Sequence, residues 1–353
     1  MIKVLIAEDS VVIQEFLKNI LESDPDIQVI EMVNNGEKAI EAVKKFRPDV
    51  VTMDINMPVL NGFDATRRIM ETNPTPIVIV SGEWDTKHLE TIFRAMEAGA
   101  IACVARPPGT GHPDHTSSTE ELIRTVKSMS EVKVIKRWSR LQKKGTCSLN
   151  EDKCAPEKAI PPGREIKVVA IGASVGGPIA LQTILAAIPP GFNAPVVIVQ
   201  HISVGFTQGL VEWLSMKSAI PVYLGRHGEK ILPGHAYVAP EHLQMRVMKD
   251  GVISLREDDP QDGLRPSVSC LFRSIADAYG KNAAGVLLTG MGRDGAQELK
   301  LMKDRGAVTI VQNEETSVVF GMPGEAVRIG GAAYVLPLEE IAQTLADLVK
   351  GLK

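Results

Sequence analysis

Two groups of residues on this chain have the types and spacing that chemistry requires. The first is acidic. Glu8-Asp9 and Asp54 each follow a short apolar run, and Ser81 follows another. Carboxylates brought together repel one another, so a site made of Glu8, Asp9 and Asp54 calls for a hard divalent cation, and Mg²⁺ with oxygen ligands and retained water fits those donors. With its charge balanced by the metal, Asp54 can attack a phosphoryl donor and become an aspartyl phosphate, while Ser81 offers a hydroxyl to a phosphoryl oxygen. The second group is Gly172-Ala173-Ser174-Val175-Gly176-Gly177, with His201 and Asp294 downstream. Here the logic is that of a serine nucleophile: Ser174 attacks, His201 takes its proton, and Asp294 orients the imidazole. The loop Gly290-Met291-Gly292 offers backbone N–H groups to an oxyanion.

Each group has a plainer reading. Strand-end acids often cap helices, and Asp9 or Ser10 could be the N-cap of a helix starting at Val11. Taken with Met57-Pro58 and Asn61-Gly62 after Asp54, however, the acids form a constellation that capping does not explain. Glycines at a strand–helix junction also cradle phosphate on a helix N-terminus. A dinucleotide loop wants an acid about 20 residues on, near the end of the next strand. That strand ends instead in Gln200-His201, and no Gly-Lys-Ser/Thr follows the glycines. The nucleophile reading is therefore favoured. Its chain order Ser–His–Asp differs from the Ser–Asp–His order of α/β hydrolases, so that fold is excluded. His227, His235 and His242 read as rim or structural residues, and His112 and His115 as loop residues.

The elements that must position these residues alternate. In the front half, strands are predicted at Lys3–Ala7, Gln28–Val33, Asp49–Met53, Pro76–Val80 and Ile101–Val104, with helices at Val11–Leu21, Glu37–Phe46, Phe63–Met70 and Thr86–Ala98. A Pro/Gly-rich loop at Pro107–His115 precedes a last helix from Thr119 to Met129. Strands alternating with helices imply a doubly wound parallel sheet, whose functional residues sit in loops at the carboxyl ends of strands. From residue 166 the pattern restarts. Strands are expected at Val168–Gly172, Val196–Gln200, Ala236–Val238, Val252–Leu255, Gly285–Leu288, Val308–Val311 and Ala333–Leu336, with helices between them and one running to Leu348. The reading is α/β: residues 1–127 as a flavodoxin-like domain, 128–165 as a linker, and 166–353 as a larger Rossmann-like domain. The linker carries the basic run Lys133, Lys136, Arg137, Arg140, Lys143 and Lys144, which reads as solvation.

Composition agrees with two domains. At 353 residues the chain exceeds the usual size of a single core. A net charge of −4 gives no reason to expect nucleic acid, and no basic helix-turn-helix pattern follows the linker, which argues against a transcription factor. Cys103, Cys147, Cys154 and Cys270 show no zinc spacing and read as thiols of a reducing cytosol, although Cys147 and Cys154 are near enough to oxidise together. No secretory segment and no membrane-length apolar run is found, so a cytoplasmic protein without membrane insertion is expected. A monomer is expected.

Residues 1 to about 125 resemble a response-regulator receiver domain, matching at Glu8/Asp9, Asp54-x-x-Met57-Pro58-x-x-x-Gly62, Ser81, Ala98-Gly99-Ala100 and Arg106-Pro107. From about residue 166 the chain resembles the catalytic domain of the chemotaxis protein-glutamate methylesterase. That match covers the Ser174 turn, Gln200-His201, Phe206-Thr207, Pro233-Gly234-His235-x-Tyr237-x-Ala239-Pro240, Leu288–Ala296 and Val318–Pro323. The resemblance implies a triad of Ser174, His201 and Asp294 with the backbone of Met291 as oxyanion donor. It implies hydrolysis of glutamate γ-methyl esters on methyl-accepting chemoreceptors, and deamidation of their glutamines. It also implies a receiver that uses Mg²⁺, takes its phosphoryl group from a histidine kinase, and packs over Ser174 until phosphorylated; the esterase itself needs no cofactor.

Two receiver positions depart from the family pattern. Arg106 stands where a lysine is usual, and Cys103 where an aromatic switch residue is usual. Arginine is a planar fork and lysine a compact point charge, so the two are not interchangeable. With Ser81, which matches the pattern, these are the receiver's switch residues. The departures at Arg106 and Cys103 predict weakened coupling between Asp54 and the esterase, and restoring lysine and an aromatic is expected to raise the activation ratio. Rival readings are a serine hydrolase of a chemosensory pathway not concerned with motility, and a catalytically idle signalling adaptor. The full set of Ser174, His201 and Asp294 argues against the adaptor.

Overall fold

The computed structural model describes residues 1–82, 93–132, 134, 165–260 and 263–350. Its first unit contains β1 (Ile2–Ala7), α1 (Val11–Leu21), β2 (Ile27–Val33), α2 (Gly36–Phe46), β3 (Val50–Met53), α3 (Gly62–Thr72), β4 (Ile77–Ser81), β5 (Ala102–Ala105) and α4 (His115–Ser130). Residues 93–98 are also helical, and the first part of the helix expected at Thr86–Ala98 lies outside the described residues. The strands form one five-stranded sheet in the order β2-β1-β3-β4-β5, with every pairing parallel. Helices cover both faces, so β3 and β4 are buried along their whole length and read as continuous apolar runs. The order in which strands are added to the sheet reverses between β1 and β3, which is where Glu8, Asp9 and Asp54 emerge.

Helix α4 starts earlier than the sequence predicts, at His115, and runs through Ser130, so residues 128–130 of the expected linker are helical. Leu122, Val126 and Met129 form its buried stripe. Most of the remaining linker lies outside the described residues, together with its basic run and Cys147 and Cys154.

The second unit is built on a seven-stranded parallel sheet of order β14-β13-β12-β6-β7-β9-β8. Its strands are β6 (Val168–Ala173), β7 (Val196–Gln200), β8 (Val222–Leu224), β9 (Ala236–Val238), β12 (Ala283–Leu287), β13 (Val308–Gln312) and β14 (Tyr334–Leu336). A separate antiparallel pair joins β10 (Gln244–Val247) to β11 (Ile253–Arg256). The helices are α5 (Gly177–Ala187), α6 (Thr207–Lys217), α7 (Val268–Tyr279), α8 (Ala296–Asp304), α9 (Met322–Arg328) and α10 (Leu338–Lys350). Strand β6 lies mid-sheet and is buried at every residue. The chain winds outward from β6 through β7, then returns to the other side of β6 as β12. Three strand ends therefore meet at this reversal, and Ser174, His201 and Asp294 follow them. The sequence reading passed over β8, β10 and α9, which are only three, four and seven residues long. No helix among the described residues is long and apolar enough to cross a membrane.

The two units share a packed contact. Phe93 and Trp213 stack with ring centroids 5.0 Å apart, and both are almost fully buried. Around them Glu97 accepts from Gln182 and pairs with Lys217. An ion pair as exposed as Glu97–Lys217 contributes under about 1 kcal/mol. Burying a large apolar side chain contributes about 1.5–3 kcal/mol, so the aromatic stack holds the contact and the rim orients it.

Candidate active site

The serine site begins with a turn only glycine accommodates. Gly176 has φ +76° and starts α5, which leaves Ser174 at the carboxyl end of β6. The Ser174 N–H donates to the Thr289 carbonyl at 3.0 Å, and the Ser174 carbonyl accepts from Gly177 N–H and from Gln200 Nε2, each at 2.8 Å. Gln200 also donates to the His201 carbonyl at 2.7 Å, so one buried amide ties the serine turn to the histidine. The Thr289 hydroxyl donates to the Val175 carbonyl at 2.8 Å and accepts from Val318 and Val319 N–H groups, fixing the other side of the turn. The backbone of Gly290 presses on Ser174: a methyl group added at Gly290 would lie 2.7 Å from Ser174 Cβ.

His201 Nε2 bonds Asp294 Oδ2 at 2.9 Å; the Asp294 side chain is buried and that of His201 partly so. Asp294 is held from several sides. It accepts from the Ser267 hydroxyl at 3.0 Å, from Val268 N–H at 2.6 Å and from Ser269 N–H at 3.0 Å. Val268 and Ser269 open α7, so the carboxylate sits on a helix N-terminus, where unpaired amides and the helix dipole favour negative charge. Burial alone would raise the Asp294 pKa. The hydrogen bonds and charge of His201, with the Ser269 contacts, outweigh it and hold the pKa at about 2. Ser267, Ser269, Thr289 and Gln200 were not assigned roles from sequence. The serine just before and just after the start of α7 was the available signal for an anion held there.

Ser174, His201 and Met291 line a cleft of about 340 Å³ whose opposite wall comes from the first unit, including Met96, Cys103 and Ser128. The Ser203 hydroxyl, two residues beyond His201, donates to the Cys103 carbonyl at 3.1 Å. Cys103 is buried at this boundary, and burial pushes its thiol well above the usual range, which disfavours the thiolate.

In the acidic site, ligand oxygens of Glu8, Asp9 and Asp54 lie within 4.8 Å of one another. Ser10, not Asp9, is the N-cap residue of α1, and its side chain makes no capping bond. The Asp9 carboxylate thus belongs with the other two acids. Burial raises Glu8 to about 7 and also raises Asp54, each with help from a neighbouring carboxylate. Three oxygens whose charge is this costly to hold are suited to a divalent cation. The Arg106 charge acts against both rises. Ser81 is buried at the end of β4, and Arg106 N–H donates to its carbonyl at 2.8 Å. Three of the other histidines bond backbone groups. His115 bonds the Pro108 carbonyl, His227 accepts from Leu255 N–H, and His235 bonds the Pro233 carbonyl while stacking on Tyr223.

Comparison with known proteins shows the family to which the chain belongs. The model of the CheB methylesterase family matches residues 169–345, and that of the response regulator receiver domain matches residues 4–111. A Nitrosospira multiformis protein named protein-glutamate methylesterase/protein-glutamine glutaminase is 52% identical over 350 residues, covering 99% of this chain and 97% of that one. A similarly named Geobacter metallireducens protein is 52% identical, covering 99% of each chain. Among solved structures, the Thermotoga maritima CheB methylesterase catalytic domain is 38% identical, with a TM-score of 0.50, over 52% of this chain and all of that one. The chain belongs to the CheB methylesterase family, with a receiver domain preceding the methylesterase domain.

Proposed function

We propose that this protein hydrolyses glutamate γ-methyl esters on chemoreceptors, and deamidates glutamines there, with Ser174 as nucleophile. The observation that carries the reading is the His201–Asp294 pair, bonded at 2.9 Å in the cleft that also holds Ser174. Because Nε2 is engaged by Asp294, Nδ1 is the nitrogen left to take the Ser174 proton. Ser174 Oγ then attacks the γ-carbonyl carbon, and the developing oxyanion is met by the Met291 N–H. His201 returns the proton to the leaving oxygen, the bond to the methoxy group breaks, and methanol departs. Water attacks the acyl-serine by the same route in reverse, restoring Ser174 and freeing the glutamate. For a glutamine side chain the group that leaves is ammonia. Asp294 stays ionised throughout and holds the imidazolium.

The acidic site serves as the control input. Mg²⁺, when bound by Glu8, Asp9 and Asp54, balances their charge and that of an incoming phosphoryl group. Asp54 attacks the phosphorus of a histidine kinase's phosphohistidine, forming an O–P bond as the N–P bond breaks. The first unit walls one side of the Ser174 cleft, which supports a reading in which the unphosphorylated protein is restrained and phosphorylation relieves the block. The direct test of the esterase is methanol release from a methylated receptor. We expect Ser174→Ala to lower it by at least about 10³-fold. Release unchanged in Ser174→Ala would overturn the nucleophile, and no release from the wild type would favour an adaptor.

A further inference from the structure

The arginine at position 106 has a structural companion. The space above Gly82, the residue after Ser81, is filled by the Arg106 guanidinium. A methyl group added at Gly82 would lie 1.9 Å from Nη2, 2.3 Å from Cζ and 2.7 Å from Nε. No side chain larger than hydrogen fits while the guanidinium lies there. Arg106 is anchored beneath by its N–H bond to the Ser81 carbonyl at 2.8 Å, so its side chain leaves the sheet at the same edge as Ser81. From that place its charge reaches both Asp54 and Glu8. The methyl clash is with the far end of a long flexible side chain, not with backbone. Its consequence would be that Arg106 swings away, with the fold left intact.

We propose that Gly82 is a positioning residue that lets Arg106 lie flat over the β4 end and bind the phosphoryl group on Asp54, where a lysine would need no such space. Arg106 and Gly82 then form a matched pair, and the arginine occupies the phosphoryl position instead of weakening it. A planar guanidinium donates two parallel N–H bonds to phosphoryl oxygens, but only if its plane is held against the site. A lysine ammonium approaches along a narrow stem and is indifferent to a methyl group at position 82. The inference rests on Asp54 being the phospho-acceptor.

The test is a double-variant cycle on the full-length protein: wild type, Gly82→Ala, Arg106→Lys, and the two combined. Beryllofluoride with Mg²⁺ stands in for the phosphoryl group, with affinity read by calorimetry and Asp54→Asn as the blank. Loss of a charge-assisted hydrogen bond predicts roughly tenfold or weaker binding for Gly82→Ala. Adding Arg106→Lys to it should restore affinity to within about threefold of Arg106→Lys alone, since the pair is coupled and not additive. That rescue also shows that the alanine variant folds. Wild-type affinity in Gly82→Ala, or a defect that Arg106→Lys leaves uncorrected, would overturn the pairing. No specific binding by the wild type would overturn the phospho-acceptor reading and the inference together.

Discussion

At the scale of single residues the site turns on Asp294. Its carboxylate is lowered from 3.8 to about 2, so the unfolded chain binds the proton more readily than the native one. The corresponding stability is present above the ordinary carboxylate value and is lost as the pH falls toward 2. The shift is worth roughly 2 kcal/mol. Asp294→Asn keeps the shape but loses an acceptor for His201 and for the α7 amides. It should lower kcat by about 10³–10⁴-fold. By denaturant titration, its stability deficit should shrink between pH 5 and pH 2, as the wild type loses the same charge. A deficit that stays constant over that range would contradict the ionised Asp294. Ser174, His201 and Asp294 could be singled out in the sequence as candidates because each follows an apolar strand. The polar frame around them was not. Gln200, Thr289 and Ser267 reach across 26, 114 and 27 positions to their partners, and such pairings exist only once the sheet order is known.

At the scale of elements, hydrophobic runs located the long strands and helices well. Val11–Leu21 and Val196–Gln200 fall where the periodicity predicts. It missed β8 and α9 because a few residues carry too little pattern to separate from loop. Nor does periodicity show which face of β5 meets the second unit, and this changes the reading of Cys103. In the structure its position is buried beside Ser203 and the serine cleft. An aromatic ring there would overpack the boundary at a cost of about 1–3 kcal/mol. Cys103→Phe should therefore raise the unphosphorylated esterase rate severalfold and lower the activation ratio. A raised ratio would favour the expectation drawn from the sequence, that an aromatic strengthens coupling.

At the scale of the whole molecule, the two units meet through the Phe93–Trp213 stack and share the wall of one cleft. Asp54 follows β3 at the carboxyl edge of the receiver sheet, and a phosphoryl group taken up there under the proposed function would act from that edge. From there β5 and the helical residues 93–98 lead to the esterase boundary. On the proposed reading, the order of the chain, switch before enzyme, makes this contact a gate. The stack and rim that hold it are worth only a few kilocalories, about 1.5–3 kcal/mol for a buried large apolar side chain. The most direct measurement is methanol release from methylated receptor by the full-length protein, with and without a small-molecule phosphodonor and Mg²⁺, in wild type and in Asp54→Asn. We expect the donor to raise the wild-type rate by about tenfold or more, the shift of about 1.4 kcal/mol in domain opening that one contact can supply. It should leave Asp54→Asn at its basal rate. A wild-type rate indifferent to the donor, or equal stimulation of both proteins, would contradict the gate.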